Sequence, residues 1–142
     1  MPEHFALSEF IASDTADRFN LRNIPEWADV DHLRELVETI LDPLRAAWGG
    51  PINVTSGYRS TLLNAIVGGV NTSAHLYGYA ADIVPGKGTV KAFSAFVKEW
   101  AQRSGVKFDQ IIDESQGGKR WVHIAVRDRL GRQRGQILNI SK

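Results

Sequence analysis

Apolar residues recur at three- and four-residue steps through residues 31–48, a spacing typical of a helix with one buried face. Asp31 is a suitable N-cap, and Gly49 with Gly50 is a suitable stop. Pro43 lies inside the pattern, so it should kink the helix or begin a separate final turn. A core-packing helix is therefore predicted. Its apolar stripe consists of Leu33, Leu36, Val37, Ile40, Leu41, Leu44 and Trp48.

Shorter patterns predict further helices and five strands. A short helix should open near Ser8, and residues 23–27 should form an ordered loop. Helices come first and strands cluster late, which favours an α+β fold with helices packed against one mainly antiparallel sheet. No repeat or linker interrupts the chain, so residues 1–142 are expected to form a single domain. The other predicted elements are helices at 60–66 and 89–103 and strands at 51–55, 80–84, 109–114, 121–126 and 135–140.

The charge balance gives no reason to expect a nucleic-acid partner. Lys and Arg number 17 and Asp and Glu number 16, which leaves a formal net charge of +1. The apolar fraction of 43% and the charged fraction of 23% are ordinary for a soluble protein. A local basic run lies between the last two predicted strands and lacks interleaved aromatic residues, which favours a solvated turn. The run consists of Arg127, Arg129, Arg132 and Arg134.

The absence of cysteine excludes a disulfide framework, a thiolate nucleophile and a thiolate metal ligand.

The N-terminal residues lack the basic start and apolar stretch of a secretory signal. No segment approaches the roughly 18 apolar residues of a membrane span. We therefore expect a soluble product of the cytoplasm without membrane insertion. If its substrate lies outside the membrane, it must be released there, for example by host lysis.

Three polar residues lie in surroundings where such side chains are uncommon. His123 lies mid-strand between apolar neighbours, and strand alternation places it on the same face as Trp121. Asp82 lies in a short apolar strand, where a buried carboxylate must be paired or bound to a metal. His75 precedes Asp82 across Gly78, which lets the chain turn back on itself.

Two histidines and one carboxylate form a familiar ligand set of catalytic zinc, in which the fourth position is left for water. Two alternatives remain open from the residues alone: a core hydrogen bond would satisfy His123, and an internal ion pair would satisfy Asp82. The other histidines, His4 near the terminus and His32 in the first turn of the long helix, are expected to be exposed.

Several short motifs follow one another along the chain. They are Ser56-Gly57-Tyr58-Arg59-Ser60, Asn64, Val67-Gly68-Gly69-Val70, Ser73-x-His75, Gly78-x-Ala80-Ala81-Asp82-Ile83, Phe108-Asp109-Gln110-Ile111-Ile112 and Trp121-Val122-His123-Ile124. Each fragment alone is weak evidence for any one family. Together they resemble the zinc D-alanyl-D-alanine carboxypeptidase family, in particular its short single-domain branch of bacteria and phages. The resemblance runs from about Phe5 to the C-terminus.

The resemblance implies an α+β fold of the Hedgehog/DD-peptidase type and a Zn²⁺ ion held by His75, Asp82 and His123. It also implies that Arg59 contacts the carboxylate of the substrate, a role that suits the planar guanidinium fork. A surface salt bridge is the alternative for Arg59. The implied substrate is a peptide of bacterial peptidoglycan, either a stem peptide or a cross-link, and a monomer is expected.

One position departs from the family pattern. Many members place the catalytic acid three residues before the last zinc histidine, where this chain has Arg120. The base is therefore expected to be Glu114, at the end of the strand that should pair with the His123 strand. Asp113 is the alternative, although alternation points it to the opposite face. A solvated charge at a strand end is the non-functional alternative for Glu114.

The expected reaction is metal-assisted hydrolysis of a peptide bond, as a carboxypeptidase or an endopeptidase, and a phage lysin is one form that such an enzyme takes. Ser73 and Gln110 are candidates for orienting the substrate or the metal ligands, although a turn hydroxyl and a surface amide are equally simple interpretations. Two rival functions remain: a zinc-binding cell-wall recognition module without turnover, and a component of a phage virion.

Overall fold

The computed structural model describes residues 5–70 and 72–141, which include one five-stranded sheet. Its strands are β1 (Ile52–Ser56), β2 (Ala80–Pro85), β3 (Gln110–Gln116), β4 (Lys119–Ala125) and β5 (Gln136–Ser141). They lie in the order β1-β2-β4-β3-β5, with β5 parallel to β3 and the other neighbours antiparallel. The predicted α+β class with a mainly antiparallel sheet is confirmed, as are the five strands to within about two residues at each end.

Helices precede β1, and others lie between the strands. They are α1 (Leu7–Ile11), α2 (Asp14–Arg18), α3 (Trp27–Leu36), a π-helical segment (Val37–Leu41), α4 (Asp42–Trp48), α5 (Thr61–Ile66), a 3-10 helix (Ala74–Tyr77) and α6 (Val90–Ser104). None of the helices in the described ranges is long and apolar enough to cross a membrane.

The long helix begins earlier than the apolar pattern predicts. Its first residue is Trp27, because the Asp29 carboxylate accepts a hydrogen bond from the backbone N–H of Glu26 and closes the first turn there. The short helix expected near Ser8 corresponds to α1, whereas α2 was not predicted. Both differences arise at helix starts, where one side-chain cap decides the boundary.

The proline inside the long helix is accommodated by a local change of helix type. The N–H of Asp42 donates to the carbonyl of Val37 five residues earlier, which defines the π-helical segment. Pro43 then lies in the first turn of α4, where its missing N–H is tolerated. The helical backbone continues without a break, so in place of the predicted kink or separate final turn a π-helical segment joins α3 to α4.

The core lies between the long helix, α6 and one face of the sheet. On that face, Ile83, Ile111 and Ile124 are fully buried and belong to one cluster with Leu36 and Phe93 from the helices. Because side chains alternate along a strand, the residues between them face the other side of the sheet. That second face carries the polar residues described below.

The turn between the 3-10 helix and β2 predicts a measurable difference between two glycines. Gly78 and Gly105 both adopt a left-handed conformation, with φ of 75° and 71°. A Cβ on Gly78 would lie 2.4 Å from the Asp29 carbonyl oxygen, whereas one on Gly105 would meet nothing within 4 Å. Gly105→Ala should therefore cost about 1–2 kcal/mol of unfolding free energy, and Gly78→Ala about 1–3 kcal/mol more.

Urea denaturation followed by tryptophan fluorescence measures both costs. Equal losses in the two variants would contradict the close approach of Gly78 to α3.

Candidate metal centre

The three predicted metal ligands come together in the structure. The Oδ1 atom of Asp82 lies 3.2 Å from Nε2 of His75 and 3.1 Å from Nδ1 of His123. The candidate ligand atoms of the trio all lie within 4.8 Å of one another, and all three residues are buried. One ion can therefore contact a donor atom of each residue.

Two members of the trio are positioned by the sheet. Asp82 on β2 and His123 on β4 are direct cross-strand partners, so their side chains project from the same face. Next to them, the pairing of β1 with β2 shifts register between Val54 and Ser56. This irregularity places Ser56 opposite Asp82, at the edge of the same site.

The third member, His75, lies on the 3-10 helix outside the sheet. Ser73 caps this helix, because its hydroxyl oxygen accepts a hydrogen bond from the His75 N–H at 3.2 Å. Nδ1 of the ring lies 2.7 Å from the carbonyl oxygen of Gly57. Since a carbonyl oxygen only accepts hydrogen bonds, Nδ1 carries the hydrogen and Nε2 presents a lone pair to the site. Gly57 has no room for a side chain, because a Cβ there would lie 2.4 Å from the carbonyl oxygen of Phe10.

Burial and charge favour protonation states that suit metal binding. Burial lowers the pKa of His75 below its ordinary value, although Asp82 acts in the opposite direction. Burial alone would raise the pKa of Asp82, but the neighbouring His75 and His123 hold it well below its usual range. The centre therefore offers lone pairs from imidazole nitrogen and from a carboxylate. This donor set fits a zinc ion, and a ring N–H given to a backbone carbonyl is the usual outer support of a ligating histidine.

Arg59 lies beside the trio and is held by three acceptors. Its Nε donates to the Ser56 hydroxyl at 3.1 Å, one Nη to Asn64 at 3.2 Å and the other Nη to Oδ2 of Asp82 at 3.3 Å. Only 15% of the side chain is exposed, so this is not the surface salt bridge that the sequence left open. Asp82 therefore has the internal ion pair considered as its alternative, through Oδ2, while Oδ1 faces the two histidines.

A cleft of about 600 Å³ opens over the trio. Arg59, Ser73, Gln110 and Glu114, the other predicted site residues, all line it. Oε1 of Glu114 lies 4.0 Å from Nδ1 of His123, and 12% of the Glu114 side chain is exposed. The Gln110 amide donates to the Gln136 side chain on β5 at 2.9 Å. Sequence reasoning thus identified residues that the fold gathers into one cleft.

Asp113 lies on the opposite face of the sheet from Glu114. Its carboxylate accepts hydrogen bonds from the Ser94 hydroxyl on α6 and from Nε and Nη2 of Arg120. The bonds from Arg120 lower the pKa of Asp113. The arginine that replaces the family acid is therefore paired on the helix side, outside the cleft.

The basic run is more ordered than the predicted solvated turn. Arg127 pairs with Glu35 of α3, Arg132 with Asp128 and Arg134 with Asp109. Asp109, Asp128 and Arg134 also line the cleft, which sequence reasoning missed. The partners of Arg127 and Arg134 lie 92 and 25 residues away in the chain, so local charge patterning could not reveal these contacts.

His32 is half-buried, and the prediction that it is exposed was wrong. Its ring stacks on Tyr79 with centroids 4.0 Å apart and an interplanar angle of 18°. His4 lies outside the described residues.

Residues 3–125 match the family model described as Peptidase M15. Because the match covers most of the chain, this protein belongs to the Peptidase M15 family. One relative is the zinc D-Ala-D-Ala carboxypeptidase of Streptomyces albus G, which is 47% identical to this chain over 47 residues. That segment makes up 32% of this chain and 18% of the relative, so the chain matches less than a fifth of the relative's length. The resemblance inferred from the motifs is confirmed.

The geometry predicts one zinc ion per chain, with ligand distances of about 2.0–2.2 Å. Asp82→Asn should lose stoichiometric zinc, because it replaces the carboxylate on which both histidines converge. Asp113→Asn is the matched control, a buried aspartate on the opposite face, and should keep its zinc. Elemental analysis after exhaustive dialysis measures the metal content, and circular dichroism confirms folding. Zinc retained by folded Asp82→Asn would contradict the assignment.

Proposed function

We propose that this protein is a zinc-dependent peptidase that hydrolyses peptide bonds in bacterial peptidoglycan, in stem peptides or cross-links. The observation that carries the proposal is the convergence of His75 Nε2 and His123 Nδ1 on one carboxylate oxygen of Asp82. Membership of the Peptidase M15 family supports the reaction class. The name of the Streptomyces relative supports D-alanyl peptides as the substrate class.

His75, Asp82 and His123 would hold the zinc ion. When bound at such a site, zinc polarises a carbonyl and lowers the pKa of water. The cleft of about 600 Å³ is lined by all three of these residues, so a segment of peptide bound in it would lie beside the metal.

Glu114 is proposed as the general base and acid. It would accept a proton from the attacking water and then donate it to the leaving amine, so that the peptide bond breaks into a carboxylate and an amine. Its support is positional: it lines the cleft and lies 4.0 Å from the nearest nitrogen of His123. Asp113 cannot take this role without leaving its bonds to Ser94 and Arg120.

Arg59 is proposed to bind a carboxylate of the substrate and to stabilise negative charge on the carbonyl oxygen. A guanidinium has five N–H groups, and the contacts with Ser56, Asn64 and Asp82 use three of them. Within the described residues, two N–H groups therefore remain for a ligand on an arginine whose orientation is already fixed. Such preorganisation reduces the entropy that binding must offset.

Ser73 is proposed to orient a metal ligand, and Gln110 is proposed to orient the substrate. Ser73 orients His75 by capping its helix. Gln110 lines the cleft and is fixed by Gln136, so one face of its amide can contact a substrate backbone.

Replacing Arg59 tests the proposed grip on the substrate. Arg59→Lys keeps the charge but loses the planar fork, so peptidase activity should fall about tenfold to a hundredfold, the loss of one charge-assisted hydrogen bond. Zinc content should stay near one per chain. Arg120→Lys, which lies outside the cleft, is the matched control and should retain activity. Unchanged activity in folded Arg59→Lys would show that Arg59 has a purely structural role.

Replacing Glu114 tests the base and separates an enzyme from a binding module. Glu114→Gln should preserve the fold and the zinc but lose about 10² to 10⁴ in rate. Asp113→Asn should cost much less, because Asp113 faces α6. The measurement is the release of amino groups from purified peptidoglycan, with mass spectrometry of the fragments to identify the bond cut.

The outcomes of this experiment are distinct. Equal rates for Glu114→Gln and wild type would show that another group is the base. No release by zinc-loaded wild type, across several wall chemotypes, would favour a recognition module without turnover.

A further inference from the structure

The position of His75 depends on contacts outside the sheet. Asp82 and His123 are fixed by the ladder between β2 and β4, but His75 belongs to a four-residue 3-10 helix. A single turn of this kind is not stable by itself, because its few hydrogen bonds do not offset the entropy of ordering it. The contacts that hold this turn therefore set the distance from His75 to the other two ligands.

His32 on α3 contacts both sides of the turn that follows this helix. Its Nδ1 lies 2.6 Å from the carbonyl oxygen of Tyr77, the last residue of the 3-10 helix. Its Nε2 lies 3.1 Å from the hydroxyl of Tyr79, which directly precedes β2. With the hydrogen on Nδ1, the ring donates to Tyr77 and accepts from Tyr79, so one tautomer satisfies both contacts. Stacking of the His32 and Tyr79 rings adds a third contact.

The residue between these two contacts also packs on α3. Gly78 approaches the carbonyl oxygen of Asp29, one turn before His32, too closely for any side chain. The helix itself is anchored in the core by Leu33 and Leu36, which are fully buried. The turn between two candidate metal ligands is thus fixed on a rigid surface by His32 and Gly78.

We propose that His32 is a positioning residue for the metal centre: through Tyr77 and Tyr79 it sets where His75 stands relative to Asp82. The proposal rests on the zinc site proposed above. It concerns metal affinity and ligand geometry, not a direct contact with substrate. Residues that hydrogen-bond to a metal ligand typically contribute about 10- to 100-fold to metal affinity. His32 contacts Tyr77 and Tyr79, which flank the ligand's turn, rather than a ligand itself.

The test compares substitutions that keep or remove the donor to Tyr77. His32→Ala should weaken zinc affinity about tenfold. His32→Asn should restore most of it, because the amide nitrogen of asparagine is attached at the same carbon as Nδ1. His32→Gln should restore less, since its amide lies one bond further out. Tyr79→Phe, which keeps the stacked ring and the Tyr77 bond, should have a smaller effect than His32→Ala.

Zinc affinity is measured by competition with a chromophoric chelator, and the visible absorption of the cobalt-substituted protein reports ligand geometry. Arg34→Ala is the control, an exposed residue on the same helix, and should match wild type in both measurements.

Unchanged affinity and an unchanged cobalt spectrum in His32→Ala would overturn the proposal. Equal losses in His32→Ala and His32→Asn would also overturn it, by showing general destabilisation. Neither measurement depends on peptidase activity. The role of His32 can therefore be tested even if the zinc-loaded protein does not hydrolyse peptidoglycan.

Discussion

One buried carboxylate organises the site. Ionised Asp82 would be costly inside the protein without positive charge nearby; the Arg59 guanidinium supplies it at Oδ2, and a cation between Oδ1 and the two imidazoles would supply it there. Two of these partners are in turn oriented by other groups: His75 by the carbonyl of Gly57, and Arg59 by side chains on β1 and α5. The cluster is thus organised to present lone pairs and N–H groups towards one cleft, which a simple internal ion pair would not require.

The ligands are held by two kinds of constraint. A backbone ladder fixes Asp82 against His123, so their separation resists change as long as the sheet is intact. His75 lies outside this ladder and is held by the Arg59 N–H on its carbonyl oxygen at 3.0 Å, by the contact of its ring with the Gly57 carbonyl, and by the close packing of Gly78 on α3. Changes in the helical layer can therefore reach the metal centre through His75 while leaving the two sheet ligands in place. On the proposal made for His32, α3 contributes to the metal centre as well as to the core.

The sequence predicted those parts of the protein that depend on local pattern. Alternation and helical spacing located the strands and the main helices, and polar residues in apolar strands identified Asp82 and His123. His32 and Arg134 were misread, because their partners lie 45 and 25 residues away in the chain. The start of α3 was also missed, since a single capping bond decides it, as was the π-helical segment that precedes Pro43. The arrangement of Arg59 depends on a register shift that no periodicity reveals.

The period of the strand also accounts for the choice of Glu114 as the proposed base. Arg120 and His123 lie on one uninterrupted stretch of β4, and an offset of three residues places them on opposite faces. An acid at position 120 would therefore face α6, as Arg120 and its partner Asp113 do. Glu114 on β3 is a diagonal cross-strand neighbour of His123 and projects from the cleft face. In this chain the hairpin between β3 and β4 brings the Glu114 carboxylate to the cleft, which a side chain at position 120 does not reach.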